Sequence, residues 1–164
     1  MKIVKSILPY IIIVLVVVLI RTFIITPVVV DGSSMYPNLV DNQILLLKKF
    51  DKSLERFDIV VVNYNNKRLV KRVIGLPGEK IEYKNSILYV NDEPIDEEMI
   101  NVATTNFKIS SLGYDVIPEG YYFVVGDNRG NSTDSRHIGL IPKKDIVGVV
   151  GFSIFPFNKF GIVK

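Results

Sequence analysis

The 164-residue chain contains no cysteine, no tryptophan and a single histidine, His137. Without cysteine there is no disulfide framework, no thiolate nucleophile and no Cys-ligated zinc or iron site. With one histidine, an imidazole base has a single possible source. Blocks of like charge are missing too: the Lys and Arg residues are scattered and the net charge is +3, so no nucleic-acid partner is expected. A mild positive charge suits an anionic membrane surface. At 48% hydrophobic residues, the chain can build one core of ordinary size plus a short appendage, and a second catalytic domain does not fit.

What is present begins with an apolar run. From Ile7 to Ile20 the sequence ILPYIIIVLVVVLI carries no charge, and apart from Arg21 the apolar character continues through Phe23, Ile24 and Ile25. The uncharged part is shorter than the roughly 20 residues a bilayer needs, but Lys5 and Arg21 can snorkel from its two ends. Lys2 and Lys5 before a short apolar run also describe a cleavable leader. Arg21 to Pro27 contain no Ala-x-Ala-like cleavage site, which favours an uncleaved anchor. Lys2, Lys5 and the amino terminus outweigh Arg21, so the N-terminus is expected in the cytoplasm. The expectation is a single-pass protein of the cell membrane, with an anchor over residues 1–26 and an extracytoplasmic catalytic domain over residues 27–164.

After the anchor, short β-branched runs alternate with turn residues. Val28 to Val30, Ile44 to Leu47, Ile59 to Val62, Leu69 to Ile74, Ile87 to Val90, Tyr121 to Val125 and Ile146 to Ile154 read as strands of a mainly β domain. Asn65-Asn66, Pro77-Gly78, Asn85-Ser86, Asn91-Asp92 and Pro118-Glu119-Gly120 supply turns, several of them hairpin turns. Residues 95–115 are polar with little periodicity and read as an excursion from the sheet. No internal repeat or low-complexity tract occurs.

With cysteine gone, a nucleophile must be a hydroxyl at a sharply turned backbone. The segment Asp31-Gly32-Ser33-Ser34-Met35-Tyr36-Pro37 follows a strand, carries a glycine, and places two hydroxyls near backbone N–H groups that could stabilise an oxyanion. On its own it is an ordinary strand-to-turn junction. A serine needs a base, and His137 with Asp127 or Asp134 would complete a Ser-His-Asp arrangement. A lone histidine beside Arg136 is more commonly a surface residue. A lysine is the other source, provided that burial lowers its pKa from about 10.4. In Leu69-Val70-Lys71-Arg72-Val73-Ile74, alternation puts Lys71 on the apolar face and Arg72 on the other; an edge-strand lysine snorkelling to water has the same pattern.

The third segment, Gly126 to Arg136, is a dense polar loop after an apolar strand. Asp127 or Asp134 can pair with Arg129 or Arg136, and Ser132 can orient a lysine amine. A solvated loop is the plain alternative, and its ligand spacing does not match an EF-hand.

Together these segments resemble the bacterial type I signal peptidases, and within them the short Gram-positive-like members. The likeness covers nearly the whole chain. It rests on the N-terminal anchor, the Gly-x-Ser-Met-x-Pro box around Ser34, Lys71-Arg72-Val73-Ile74-Gly75-Leu76-Pro77-Gly78, and Gly126-Asp127-Asn128-Arg129 with Asn131-Ser132 and Asp134-Ser135-Arg136. The resemblance implies a β-rich catalytic domain lying against the membrane. It implies Ser34 as the acylated nucleophile, Lys71 as general base and Ser132 as the hydroxyl orienting that lysine. Asp127, Asp134 and Arg136 then hold the active-site loop, and the Ser34 N–H forms part of the oxyanion hole. It further implies signal-peptide-bearing precursor proteins and the lipid bilayer as partners, cleavage after small residues, a monomer, and no metal or organic cofactor. Departures occur at Gly32, where some members carry a hydroxyl, at Gly130, where some carry aspartate, and at Phe57, where glycine is common. Two other classes remain open on the sequence: a membrane-anchored binding protein without turnover, and a self-cleaving regulator of the repressor type, which would need a DNA-binding or soluble partner segment in place of the anchor.

Overall fold

The computed structural model describes residues 2–23, 25–49, 53–100 and 102–163. Its first element is α1 (Lys2–Phe23), whose described side chains, Ile7 to Leu19, are exposed on every side. Among the described residues no helix is both long and apolar enough to cross a membrane. At 1.5 Å per residue the run from Ile7 to Leu19 covers roughly 20 Å, against ~30 Å of hydrocarbon. The side chains of Lys2, Lys5, Ile20, Arg21 and Phe23, which the expected span also uses, lie outside the described residues.

Among the described residues twelve strands follow, and every strand pair is antiparallel. The larger sheet contains β1 (Ile25–Val29), β2 (Ile44–Lys48), β3 (Ile59–Tyr64), β4 (Lys67–Gly75), β9 (Tyr121–Val125), β10 (Ile141–Pro142) and β11 (Ile146–Phe155) in the order β1-β2-β11-β3-β4-β9-β10, with β12 (Gly161–Ile162) on β11. The smaller sheet has the order β7 (Glu93–Ile95), β6 (Ile87–Val90), β5 (Ile81–Lys84), β8 (Phe107–Lys108). β1 starts at Ile25 and pairs with β2 from Ile25↔Lys48 to Val29↔Ile44, so the boundary expected at Pro27 falls inside a strand. Pro27 is tolerated there because β1 is an edge strand and its missing N–H costs no ladder bond.

The hairpin turns follow the residues. Asn65-Asn66, Asn85-Ser86 and Asn91-Asp92 have φ between 47° and 68° at both positions. This is the twist-matched two-residue geometry that asparagine and aspartate tolerate best after glycine. They close β3–β4, β5–β6 and β6–β7. β5 escapes a search for apolar runs because Ile81-Glu82-Tyr83-Lys84 alternates, with Ile81 and Tyr83 buried. The 95–115 excursion returns through β8 and a 3-10 turn at Ile109–Leu112, whose Ile109 is buried in the second sheet's core.

The central strands are apolar on both faces because both are covered. Ile59 and Val61 pack with Leu45, Leu47, Met35 and Leu39, while Val60 and Val62 pack with Val73, Val124 and Ile146. The smaller sheet lays Ile81, Tyr83 and Leu88 on Ile74, Phe123 and Val125. Each such aliphatic side chain contributes about 1.5–3 kcal/mol when fully buried. β4 and β9 therefore form a rigid floor, and the polar segments 31–38 and 126–136 stand at its rim.

Candidate active site

The loop after β1 is held down by its apolar residues. Met35 and Leu39, four apart, are both buried, and the Leu39 N–H donates to the Met35 carbonyl at 2.9 Å. With those two sunk, Ser33 and Tyr36 are left exposed and Ser34 sits half-buried between them. Gly32 has φ +89° and its N–H donates to Asp41 Oδ1 at 2.7 Å, which sets the entry to the turn. Glycine fits there because a Cβ at that φ is strained.

Lys71 comes from β4, with Val60 of β3 as its cross-strand partner. Its side chain is buried to 2% exposure, and Nζ donates to Ser34 Oγ at 2.7 Å and to the Val70 carbonyl at 2.9 Å. Burial pushes the Lys71 ammonium down to about 8, against the opposing pull of Asp134 and Asp127. A lysine in that range has a usable neutral fraction near physiological pH, and its lone pair is within reach of a hydroxyl proton.

The third wall is the loop from Gly126 to Arg136. Arg72 donates to Asp127 through Nε (2.8 Å) and Nη2 (2.7 Å). Arg136 donates to Asp134 through Nε (2.9 Å) and Nη2 (2.8 Å). Asp134 also accepts the Gly126 N–H at 3.0 Å and caps α2 (Ser135–Ile138) through the Arg136 N–H. Burial alone raises the Asp134 carboxyl, but hydrogen bonds from Arg136 and from the Gly126 N–H together hold it below its ordinary value. Arg129 donates to Glu97, Tyr83 Oη, Thr104 Oγ1 and the Gly126 carbonyl. Each arginine around the lysine is thus matched to a carboxylate, and Lys71 is the one site cation without a direct carboxylate bond among these groups.

Comparison with known proteins decides the family. A family profile described as signal peptidase, peptidase S26, matches residues 2–155. The chain belongs to that family. Signal peptidase I S of Bacillus subtilis strain 168 is 42% identical over 154 residues, covering 86% of this chain and 83% of that protein. A signal peptidase I of Bacillus caldolyticus is 40% identical over 166 residues, 93% of this chain and 91% of that one. Among solved structures, a signal peptidase I from Enterococcus faecalis V583 matches with TM-score 0.56 and 37% identity, over 59% of this chain and 96% of that chain. The mainly β fold is accordingly that of a signal peptidase, and peptidase activity follows from the family.

Ser34 and Lys71 meet directly, and Asp134 pairs with Arg136. Asp127 pairs with Arg72, not with Arg129 or Arg136, because the register Arg72↔Val125 sets the guanidinium two residues from Asp127. Lys71 Nζ bonds Ser34 Oγ and the Val70 carbonyl and makes no bond to Ser132, whose buried hydroxyl lies on the Asp134 side and helps hold that carboxyl below its ordinary value. His137 is exposed, with Nδ1 3.8 Å from Asp134 Oδ1, and faces solvent as a surface residue. Phe57, where glycine is common, has φ +73°, and its carbonyl accepts from Arg72 Nη1 at 2.9 Å. Sequence reasoning missed Arg72 as a partner and the Glu97–Arg129 pair, since Glu97 lies in the aperiodic stretch and gives no local signal of burial.

Proposed function

We propose that the chain is a membrane-bound serine endopeptidase with a Ser34–Lys71 dyad that removes signal peptides from exported precursor proteins, cutting after small residues. The observation that carries the reading is the 2.7 Å contact from Lys71 Nζ to Ser34 Oγ, made by a lysine that burial holds down to about 8.

Neutral Lys71 takes the Ser34 proton as Oγ bonds to the scissile carbonyl carbon, and the carbonyl π pair moves to oxygen. Collapse of that adduct breaks the C–N bond, and the leaving amine takes the proton back from Lys71. Water attacks the resulting ester with Lys71 again as base, and the signal peptide leaves as a carboxylic acid. Asp127, Asp134 and Arg136 keep the surrounding loop in shape. Ser132 is the hydroxyl that the family resemblance assigns to orient the amine.

The anchor reading is supported by α1, where apolar side chains from Ile7 to Leu19 stand uncovered by protein; a helix apolar all round belongs in lipid or in a core. The N-terminus lies in the cytoplasm and residues 27–164 outside. The test is cleavage of a precursor by the detergent-solubilised full chain. Ser34→Ala and Lys71→Ala abolish product and His137→Ala retains it. A lysine variant that still cleaves, or a histidine variant that does not, overturns the dyad; a parent protein that binds precursor without shortening it points to a binding module instead.

A further inference from the structure

The backbone on both sides of the Ser34 N–H is tied to the loop after β9. Asn128 donates its main-chain N–H to the Ser34 carbonyl at 3.0 Å and its side-chain Nδ2 to the Ser33 carbonyl at 3.1 Å. Asn131 Nδ2 adds a bond to Ser33 Oγ at 3.2 Å. The Ser33 carbonyl also accepts the Tyr36 N–H at 3.1 Å, but Tyr36 belongs to the same turn and moves with it. Asn128 does not: it lies between Asp127 and Arg129, each locked in a buried ion pair. Among the described residues the Ser34 N–H itself donates to no acceptor.

A trans peptide is planar, with the carbonyl of one residue opposed to the N–H of the next. Fixing the Ser33 carbonyl therefore aims the Ser34 N–H. That aim matters more in this chain than where residue 32 carries a hydroxyl, because Gly32 has no side chain to add a second donor. We propose that Asn128 is a positioning residue of the oxyanion hole, its side-chain amide holding the Ser33–Ser34 peptide plane so that the Ser34 N–H meets the oxygen on which charge develops. This rests on Ser34 being the nucleophile.

The experiment compares Asn128→Ala and the isosteric Asn128→Asp with the parent in detergent. Asn128→Asp keeps the volume and the backbone N–H but sets an acceptor against the Ser33 carbonyl. Deleting an oxyanion donor outright costs 10²–10³-fold in kcat, so loosening one is expected to cost about tenfold in Asn128→Ala and more in Asn128→Asp, with KM within about twofold. Affinity for a substrate-like peptide aldehyde, whose adduct with Ser34 carries the tetrahedral oxygen, falls in step with kcat/KM. Affinity for the same peptide with an uncleavable bond does not change, nor does the pH midpoint or the melting temperature. Unchanged kcat in Asn128→Asp, or equal weakening of aldehyde and uncleavable peptide, overturns the proposal. Ser34→Ala run alongside separates the two levels. If it still cleaves, the nucleophile assignment and the inference fall together. If it is inert while both Asn128 variants match the parent, only the inference falls.

Discussion

Arg72 and Asp127 form a two-pronged ion pair, Nε to Oδ1 at 2.8 Å and Nη2 to Oδ2 at 2.7 Å, with both side chains fully buried. It couples the strand that carries Lys71 to the loop that carries Asn128. Removing one member strands a charge in the interior, which costs about 3–5 kcal/mol. Asp127→Ala and Arg72→Met should each lose stability on that scale, while the double variant loses less than the sum. Equilibrium denaturation of the four proteins in a double-mutant cycle reads the coupling; additive losses would show the pair to be energetically idle.

Lys71 makes the activity depend on pH in a set direction. The base must be neutral, so kcat/KM rises with pH and levels off above about 8. Asp134 raises the lysine's pKa by its charge, so Asp134→Asn moves the rising limb of its residual activity to lower pH. Stability has its own sign. The folded value, about 8, lies below the ordinary 10.5, so between them the unfolded chain binds more protons and stability increases with pH. Below pH 8 the native state carries the full cost of a buried ammonium. Lys71→Met is then inactive yet more stable at pH 7, by roughly 3 kcal/mol, and the gain shrinks toward pH 10. A variant less stable than the parent at pH 7 contradicts the burial argument.

How much of this was legible in the chain divides along physical lines. Ile59 to Val62, Leu69 to Ile74 and the Asn-Asn turn between them give strand, turn and strand, because alternation and positive-φ tolerance are local properties. The Ser34–Lys71 meeting is not local: it needs β4 in register beside β3 and Met35 sunk into the core, and only the order of the three motifs pointed to it. Asp127's partner was misread for the same reason, since sequence neighbours Arg129 and Arg136 look available while Arg72 is reached only across the β4–β9 ladder. Glu97 gave no sign at all, because a carboxylate in an aperiodic stretch looks solvated until a buried arginine is known to meet it.

Gly126 is required by space and not by φ. A Cβ there would collide with the Ser34 carbonyl oxygen and with Ser132 Oγ and Cβ, and a backbone carbonyl cannot swing aside as a side chain end can. Gly126→Ala should displace the Ser34 loop and lower kcat/KM by two orders of magnitude or about that, since misplacement of ~1 Å costs on that scale. Gly32→Ala meets open space but a φ of +89°, so its cost is about 1 kcal/mol of stability. Steady-state kinetics beside thermal melting distinguishes them: the first loses mainly rate, the second mainly stability.

Arg129 holds the stretch around Glu97 against the catalytic loop. Nη2 donates to Glu97 Oε1 at 2.6 Å, Nη1 to Glu97 Oε2 at 3.1 Å and to Thr104 Oγ1 at 2.9 Å, and the guanidinium lies 5.2 Å from the centre of the Tyr83 ring. Tyr83 Oη donates in turn to Glu97 Oε1 at 3.1 Å, and burial pushes that phenol well above its usual range. Asn38 adds a bond from Nδ2 to the Met99 carbonyl at 3.0 Å. The strap carrying Glu97, Met99 and Thr104 is therefore fixed by side chains where sheet pairing is lacking, so it should open when they are removed. Glu97→Gln keeps the shape but leaves a buried guanidinium without its counter-charge, costing about 3 kcal/mol or more. Arg129→Lys does not repair it, because an ammonium has no planar fork to match the carboxylate. Hydrogen exchange is the direct measurement: amides of residues 97–100 and 102–104 should exchange faster in both variants while those of β3 keep their protection. Equal acceleration in β3 would mean general loss of stability, and no acceleration in the strap would mean that Arg129 is not what holds it.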